Sequence, residues 1–315
     1  MSTTHTPLKT LLAVAASIVS GIGVSIQSRL NGELGLRLED GSLAALISFS
    51  SGLLILGTLL LFSPTGRAGV ARVVSEIRAG SLPWWSVAGG LAGGLLVLTQ
   101  GLVAGVLGVA LFSIAVIAGQ TLGAVAIDTR GLIGMVKIPL TARRFVGVVL
   151  VAIGVLTTVG LWSGTEDVGW AIVLPLVAGV GTGFQQGLNG TVKKVSGSAL
   201  AATFINFAAG TAILLLVTAV MSPLSGGGGT FPSNWVLYLG GFVGTIFIAI
   251  QTVTVNHIGV LGLGVSLVAG QVLGSLTLDL LVPVSAHPIT VVTVLGAALT
   301  LVGSIVVTVT RKKQF

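Results

Sequence analysis

The sequence has no cysteine and very little charge. Without cysteine, disulfides, thiolate nucleophiles and cysteine-ligated metal or iron–sulfur sites are all excluded. Asp, Glu, Lys and Arg together make up 7% of the 315 residues, whereas a soluble globular domain carries about 25%. Hydrophobic types make up 53% of the chain, and the mean hydropathy is +1.09. This composition excludes a water-soluble fold and predicts an integral membrane protein.

Long uncharged stretches predict how often the chain crosses the bilayer. Residues 195–278 contain no Asp, Glu, Lys or Arg, and one transmembrane helix needs only about 20 apolar residues. Cuts at charges, prolines, glycine-rich turns and tryptophans predict ten spans. These are residues 10–31, 42–63, 83–104, 107–128, 142–163, 169–191, 199–221, 234–255, 259–280 and 288–310. The link between the third and fourth spans is very short, so one span more or fewer is the alternative.

The basic residues are distributed very unequally between the two predicted sides. Of the 15 Lys and Arg, 13 fall at the termini and in the loops on the same side as the termini. Only Arg29 and Arg37 fall on the opposite side. The positive-inside rule therefore predicts that both termini are cytoplasmic. The rule also explains the net charge of +7 without a nucleic-acid partner.

A motif of the first half recurs in the second half. Gly-x-Gly-x-x-x-Gln-x-x-Leu-Asn-Gly begins at Gly21 and again at Gly179, an offset of 158 residues. At an offset of 151, further pairs of rarer residue types follow in order: Trp84 and Trp235, Gln100 and Gln251, Gln120 and Gln271, Asp128 and Asp279. We therefore predict two repeats, residues 1–163 and 164–315. Each holds five spans, and an odd number inverts the second repeat, as in many secondary transporters.

These features support a comparison with a known family. Each half has Gln-x-x-Leu-Asn-Gly in its first helix and Ile-x-Phe-x-x-Gly in its second. With ten spans in two halves, the chain resembles the drug/metabolite transporter superfamily. Within it, the chain is similar to the YdcZ-type family of bacterial inner-membrane proteins, many of which have one five-span unit. The resemblance implies a fused two-unit form in the bacterial inner membrane that exports a small metabolite or drug-like compound.

Uncharged amide side chains are the candidate binding groups, because they are costly in lipid and should face helices or a cavity. Three lie toward the predicted outer face: Gln27, Asn31 and Gln100. Four lie toward the predicted inner face: Gln185, Asn189, Asn206 and Gln251. Gln120 and Gln271 lie nearest the midplane. We predict an outer gate, an inner gate and a central substrate site between Gln120 and Gln271. The alternative is that these amides only hold helices together, each bond contributing roughly 0.6–2 kcal/mol.

Asp128 and Asp279 are the only carboxylates near span ends at equivalent repeat positions. Two interpretations stay open for them, proton coupling and solvated helix-end charges. Small multidrug transporters of the superfamily carry a glutamate in their first helix. The predicted first span here has no acidic residue, which argues against proton-coupled export of cations.

Enzyme signatures such as Gly-x-Ser-x-Gly and His-Glu-x-x-His are absent from the sequence. We therefore predict an all-α integral membrane protein of ten helices that acts as a secondary transporter by alternating access. A passive channel or lipid-translocating pore and a non-transporting scaffold are the alternatives. The expected partners are the lipid bilayer and a small-molecule substrate, with a homodimer left open and no cofactor expected.

Overall fold

The computed structural model describes residues 7–132, 137, 139–160, 168–223, 229–282 and 289–308. Across these residues the chain is α-helical and contains no β-strand. The helices are α1 (Pro7–Leu38), α2 (Gly41–Leu61), α3 (Pro64–Arg78), α4 (Gly89–Thr99), α5 (Gly105–Leu107), α6 (Val109–Arg130), α7 (Ala142–Gly160), α8 (Val168–Ser196), α9 (Ala199–Met221), α10 (Gly240–Leu281) and α11 (Val291–Thr308). Short 3-10 helices, Trp84–Val87 and Trp235–Leu239, precede α4 and α10, and a π-helical turn, Gln100–Ala104, joins α4 to α5.

In the described part of the chain, eight segments are long and apolar enough to cross a membrane. The fold is therefore that of a multi-pass helical protein, as predicted. The predicted fifth and tenth spans correspond to α7 and α11, which are not among the eight. Their predicted limits at residues 163, 288 and 310 lie outside the described residues, as does the predicted boundary between the two repeats.

Helix α10 is one continuous stretch of 42 helical residues. It nevertheless contains two separate segments that are each long enough to cross a membrane. Straight, it would be about 63 Å long. However, Ser20 donates a hydrogen bond to the carbonyl of Phe247, and neighbouring Gly21 packs against the carbonyl of Leu267. Because 20 residues of straight helix would separate these carbonyls by about 30 Å, α10 must reverse direction between its arms. The two crossing segments, Trp235–Thr254, which includes the 3-10 helix before α10, and Gly262–Leu281, match the predicted eighth and ninth spans.

The first two helices of each half are joined by turns of the same design. Asp40 begins α2, and its side chain accepts a hydrogen bond from the backbone N–H of Leu43. Ser198, 158 residues later, begins α9 and accepts in the same way from Ala201. Such side-chain caps satisfy backbone donors that the first helical turn leaves free. The turns set α1 against α2 and α8 against α9.

Helix α3 has no counterpart among the predicted spans. It starts with Ser63 as its cap and Pro64 in its first turn, a typical helix start. One face is buried at Gly66, Gly69 and Val73, where the helix packs against α8 and α9. The segment between the second and third spans is therefore an ordered helix.

Helices of the two halves interleave rather than forming two separate bundles. Helix α1 contacts α10 more extensively than any other helix, and α8 contacts α6 and α4. Gly270 packs on the carbonyl of Ile18, and the equivalent Gly119 packs on the carbonyl of Leu176. Small residues allow this close approach between helices in a membrane. The first helix of each half thus makes its most extensive contacts with helices of the other half.

Candidate functional site

A cavity lies at the centre of the molecule, between α1, α2, α4, α6, α8, α9 and α10. Its volume is about 80 Å³, and since about 10–15 Å³ measured this way holds one water, it can admit several waters or a small organic group. Six of the nine predicted amides line it: Gln27, Gln120, Gln185, Asn189, Gln251 and Gln271. The structure therefore brings together in one cavity residues that lie far apart in the sequence.

Two of these amides present unpaired oxygens inside the protein. Gln271 is 3% exposed, and its Oε1 has no hydrogen-bond partner in the described structure. Gln27 is 2% exposed and donates from Nε2 to the carbonyl of Gly240 at 2.9 Å, while its Oε1 is also unpaired. A buried amide oxygen without a partner is costly. Because both residues line the cavity, these oxygens are candidate acceptors for a bound molecule.

One face of α8 lines the cavity along three turns. The residues on this face are Thr182, Gln185, Gln186, Asn189, Gly190 and Lys193. They follow one another at intervals of three, one, three, one and three positions, which keeps them on one side of a helix. From Thr182 to Lys193 the face measures about 16 Å along the helix axis. Helix α8 therefore gives the cavity its length.

The equivalent face of α1 lines the cavity only in its first part. Val24 and Gln27 line it, but further along α1 the Asn31 Nδ2 donates to Gln100 Oε1 at 2.7 Å. Gln100 Nε2 in turn donates to Ser28 Oγ at 3.0 Å. All three side chains are fully buried. Asn31 and Gln100 thus lie together in a buried network outside the cavity lining, and their role as a gate stays a prediction.

Backbone packing completes the seal on α1. A side chain on Gly32 would lie 2.6 Å from the backbone nitrogen of Gly105, and Gly35 packs directly on the carbonyl of Gly101. By contrast, Gly190, the equivalent of Gly32 on α8, has open space beside it. We call the sealed region around Ser28, Asn31, Gly32, Gln100 and Gly105 the Asn31 end. The region around Gln186, Asn189, Gly190 and Lys193 is the Lys193 end.

The two ends are well separated. Gly89, at the start of α4, lies beside Asn189, and Gly105, at the end of its continuation, lies beside Gly32. The 16 residues between them would extend about 24 Å as a helix. Helix α4 and its continuation therefore run from the Lys193 end to the Asn31 end, past the cavity.

The remaining predicted amides hold neighbouring groups in place. Asn206 does not line the cavity, but its Oδ1 accepts from Gln185 Nε2 at 3.0 Å. Gln251 Nε2 donates to Ser20 Oγ at 3.2 Å. These bonds fix the amides of Gln185 and Gln251 at the cavity wall. Binding of substrate by any of the nine residues stays a prediction.

Sequence reasoning missed Lys193 and three phenylalanines. The predicted sixth span ends at residue 191 and leaves Lys193 in a loop, whereas α8 continues to Ser196. Its spacing of eight residues from Gln185 would have placed it on the same helix face. Phe49, Phe207 and Phe247 also line the cavity. The rings of Phe49 and Phe207 are 4.8 Å apart, and only the repeat offset of 158 could have paired them.

Asp279 is buried, with 5% of its surface exposed, and does not line the cavity. Its carboxylate accepts hydrogen bonds from the backbone N–H groups of Val109, at 3.2 Å, and Ala110, at 2.7 Å. It lies 3.8 Å from Arg29. Asp279 is therefore a buried cap on α6, which corrects the interpretation as a solvated helix-end charge.

Asp128 also lies outside the cavity lining. It forms an ion pair with Arg144, whose side chain is 3% exposed. The Asp128 side chain is itself 23% exposed, so it is a helix-end charge that is both paired and partly solvated. Proton coupling through either aspartate stays a prediction.

Comparison with known proteins gives the family of the chain. No curated protein matches it. A solved structure described as "Crystal structure of protein" matches with a TM-score of 0.55 and 17% sequence identity, over 96% of this chain and 97% of that chain. This likeness supports the fold alone. A family model described as "Putative inner membrane exporter, YdcZ" matches twice, at residues 12–157 and 170–306. Because these two segments cover most of its length, the chain belongs to the YdcZ family of the drug/metabolite transporter superfamily and is a multi-pass inner-membrane transporter of two repeats.

Proposed function

We propose that the protein is a secondary transporter that exports a small metabolite or drug-like molecule by alternating access. The observation that carries this proposal is the difference between the equivalent faces of α1 and α8. The α8 face lines the cavity for three turns, whereas the α1 face is sealed beyond Gln27. In a carrier made of two related halves, rocking opens one end while it closes the other. The asymmetry of the two faces corresponds to one of those states.

The proposed architecture is ten crossings in two inverted halves, residues 1–163 and 164–315. The course of two equivalent helices supports the inversion. Helix α4 and its continuation run from the Lys193 end to the Asn31 end. The first arm of α10 starts at Gly240 beside Asn31 and reaches Lys193 at Thr252, so it runs the opposite way.

The distribution of basic residues assigns the two ends to the two sides of the membrane. With both termini cytoplasmic, the Lys193 end faces the cytoplasm and the Asn31 end faces outward. The cavity is then open to molecules arriving from the cytoplasm, as an exporter requires before it loads. Asn31 and Gln100 act as the outer gate in this scheme. The inner-gate residues are Gln185, Asn189, Asn206 and Gln251, and the central site lies between Gln120 and Gln271. Gln27, which the sequence prediction groups with the outer gate, lines the cavity and is assigned to the central site.

Cysteine labelling tests alternating access without knowledge of the substrate. The chain contains no cysteine, so single cysteines can be introduced at the equivalent positions Ser28 and Gln186. In inside-out vesicles, a membrane-impermeant maleimide should label Gln186→Cys rapidly. In right-side-out vesicles, Ser28→Cys should react slowly but measurably, because the carrier visits the other state.

Other outcomes would contradict the proposal. Rapid reaction of both cysteines from both sides would indicate a continuous pore. If Ser28→Cys never reacts from outside, even over hours, the protein does not alternate and a scaffold role fits better. The unsubstituted, cysteine-free protein serves as the control for background labelling.

A further inference from the structure

Lys193 is the one ionisable side chain among the described residues that line the cavity. It is partly buried, and its Nζ donates a hydrogen bond to the backbone carbonyl of Thr252. An ammonium group has three N–H donors, so two are left for another acceptor. Within the described structure, the ion pairs are Arg29–Asp279, Arg37–Glu33 and Arg144–Asp128. None of these carboxylates neutralises Lys193.

The other described residues of the cavity lining are uncharged. They combine amides and hydroxyls with aliphatic side chains and three phenylalanine rings. The described lining therefore carries a single positive charge, on a side chain that is partly buried. Such a site attracts anions and repels cations, and the effect is stronger than in open solvent because the surroundings are less polar.

The position of Lys193 near the end of α8 does not by itself explain why its side chain lines the cavity. Basic residues are favourable in the last turns of a helix, and both Lys193 and Lys194 satisfy that preference. Lys194, however, is exposed and does not line the cavity. The two neighbours therefore share helix-end position and membrane side but differ in access to the site.

The charge is also not a repeated feature of the fold. The position equivalent to Lys193 in the first half is Gly35, which packs on the carbonyl of Gly101. Lys193 bonds the carbonyl of Thr252, the residue equivalent to Gly101. A glycine contact at the Asn31 end is thus replaced by a lysine at the Lys193 end. The positive charge marks only the end at which the cavity is open.

We propose that the cavity binds a small organic anion, an apolar body that carries one carboxylate or similar group. This deepens the proposed function, on which it rests. Lys193 binds the anionic group, with the amides of Gln186 and Asn189 on the same helix face. The apolar body lies toward Phe49, Phe207 and Phe247. The distance from Lys193 to Gln185 along α8 is about 12 Å. This length accommodates a molecule with an anionic group at one end and a short apolar body at the other.

Three probes that share one body test the role of charge: 3-phenylpropanoate, 3-phenylpropanamide and 3-phenylpropylammonium. Thermal unfolding of the purified protein, in uncharged detergent at pH 7, gives the affinity for each probe. We expect the anion to stabilise the protein most and the cation least. Loss of Lys193 should weaken anion binding about 10- to 100-fold, as for loss of a hydrogen bond to a charged group. Binding of the amide should change little.

Matched variants make the result specific. Lys193→Met removes the charge, Lys193→Arg keeps it, and Lys194→Met removes a neighbouring charge outside the cavity. Preference for the anion should be lost in the first variant and retained in the other two. If Lys193→Met does not fold, as judged by gel filtration and circular dichroism, the ranking of the three probes on wild-type protein still decides whether the cavity prefers an anion. Equal binding of all three probes by wild-type protein would overturn the proposal.

Two further measurements separate the remaining possibilities. If Lys193 instead binds lipid headgroups, phosphatidylglycerol but not 3-phenylpropanoate will stabilise the protein in a Lys193-dependent way, and the proposal fails. The cysteine labelling above reports alternating access independently of any ligand. Alternation without anion preference would refute only the ligand class, whereas anion preference without alternation would refute only the transport mechanism.

Discussion

Phe49 of α2 and Phe207 of α9 lie against each other with ring centroids 4.8 Å apart. Each ring also rests on a glycine of the partner helix, because Phe207 contacts Gly52 and Phe49 contacts Gly210. The four residues form two equivalent pairs, related by the offset of 158. Together they join the second helices of the two halves beside the central cavity.

A methyl group at Gly210 or Gly52 should therefore destabilise the protein. A Cβ at either position would collide with the facing phenylalanine ring, and overpacking of this kind typically costs about 1–3 kcal/mol. We expect Gly52→Ala to lower the thermal unfolding temperature clearly. Gly57→Ala, on the same helix, is the control, since its nearest neighbour would be at an ordinary 3.8 Å. Equal effects of Gly52→Ala and Gly57→Ala would refute this account of the contact.

The network at the Asn31 end predicts the effect of removing Gln100. Gln100→Leu would leave the Asn31 Nδ2 without its acceptor and Ser28 without a donor. A buried polar group that loses its partner costs about 1–3 kcal/mol. We expect loss of stability together with faster outside labelling of Ser28→Cys. Gln251→Leu, the equivalent change, should leave this labelling rate unchanged; a matching increase there would show that the network does not seal this end.

Two substitutions of Asp279 separate its role as a helix cap from a role in proton coupling. Asp279→Ala removes the acceptor for two backbone N–H groups of α6 and should cost about 0.5–2 kcal/mol of stability. Asp279→Asn keeps an acceptor oxygen and should retain most of that stability. Flux of 3-phenylpropanoate into proteoliposomes, with and without a pH gradient, then reports on coupling. Flux is counted after subtraction of the flux into protein-free liposomes, because the protonated probe crosses lipid unaided. Protein-dependent flux in Asp279→Asn that still responds to the gradient would refute proton coupling through this residue.

The lowered pKa of Asp40 predicts that this residue contributes to the acid sensitivity of the fold. Burial raises its pKa, but hydrogen bonds from the side chains of Ser222 and Ser42 and from the backbone of Leu43 and Ser42 prevail and lower it below 3.8. The folded pKa is depressed, so this contribution to stability is complete above pH 3.8 and is lost as the pH falls through the folded value.

Asp40→Asn should therefore lose less stability than wild type when the pH is lowered from 5 to 3, because asparagine still caps the helix without titrating. Thermal unfolding at intervals across that range measures the difference. Glu33→Gln is the control, because Glu33 is partly exposed and pairs only with Arg37 within its own helix. Parallel pH curves for wild type and Asp40→Asn would disprove the contribution.

Much of the fold was predictable because its signals are local. Uncharged stretches located the crossing segments, and the repeated Gln and Asn residues identified the helices around the cavity. Helix α3 does not appear among the predicted spans because these are long uncharged stretches, whereas this helix is short and carries charged residues. The cavity lining was predictable only in part, because it depends on packing. Lys193 was missed because charge was used to end a helix that in fact continues through it.

The first half has Gly35 at the position where the second half has Lys193. This difference has an energetic consequence for a carrier built from two related halves. One end closes by backbone contact between glycines, whereas closure of the other end, under the proposed alternating access, would desolvate an ammonium group. This difference favours the empty state that is open at the Lys193 end, and about 1.4 kcal/mol already gives a tenfold population ratio. An anion that neutralises Lys193 would reduce the cost of closure. With the proposed orientation, the empty carrier would rest facing the cytoplasm and return there after release.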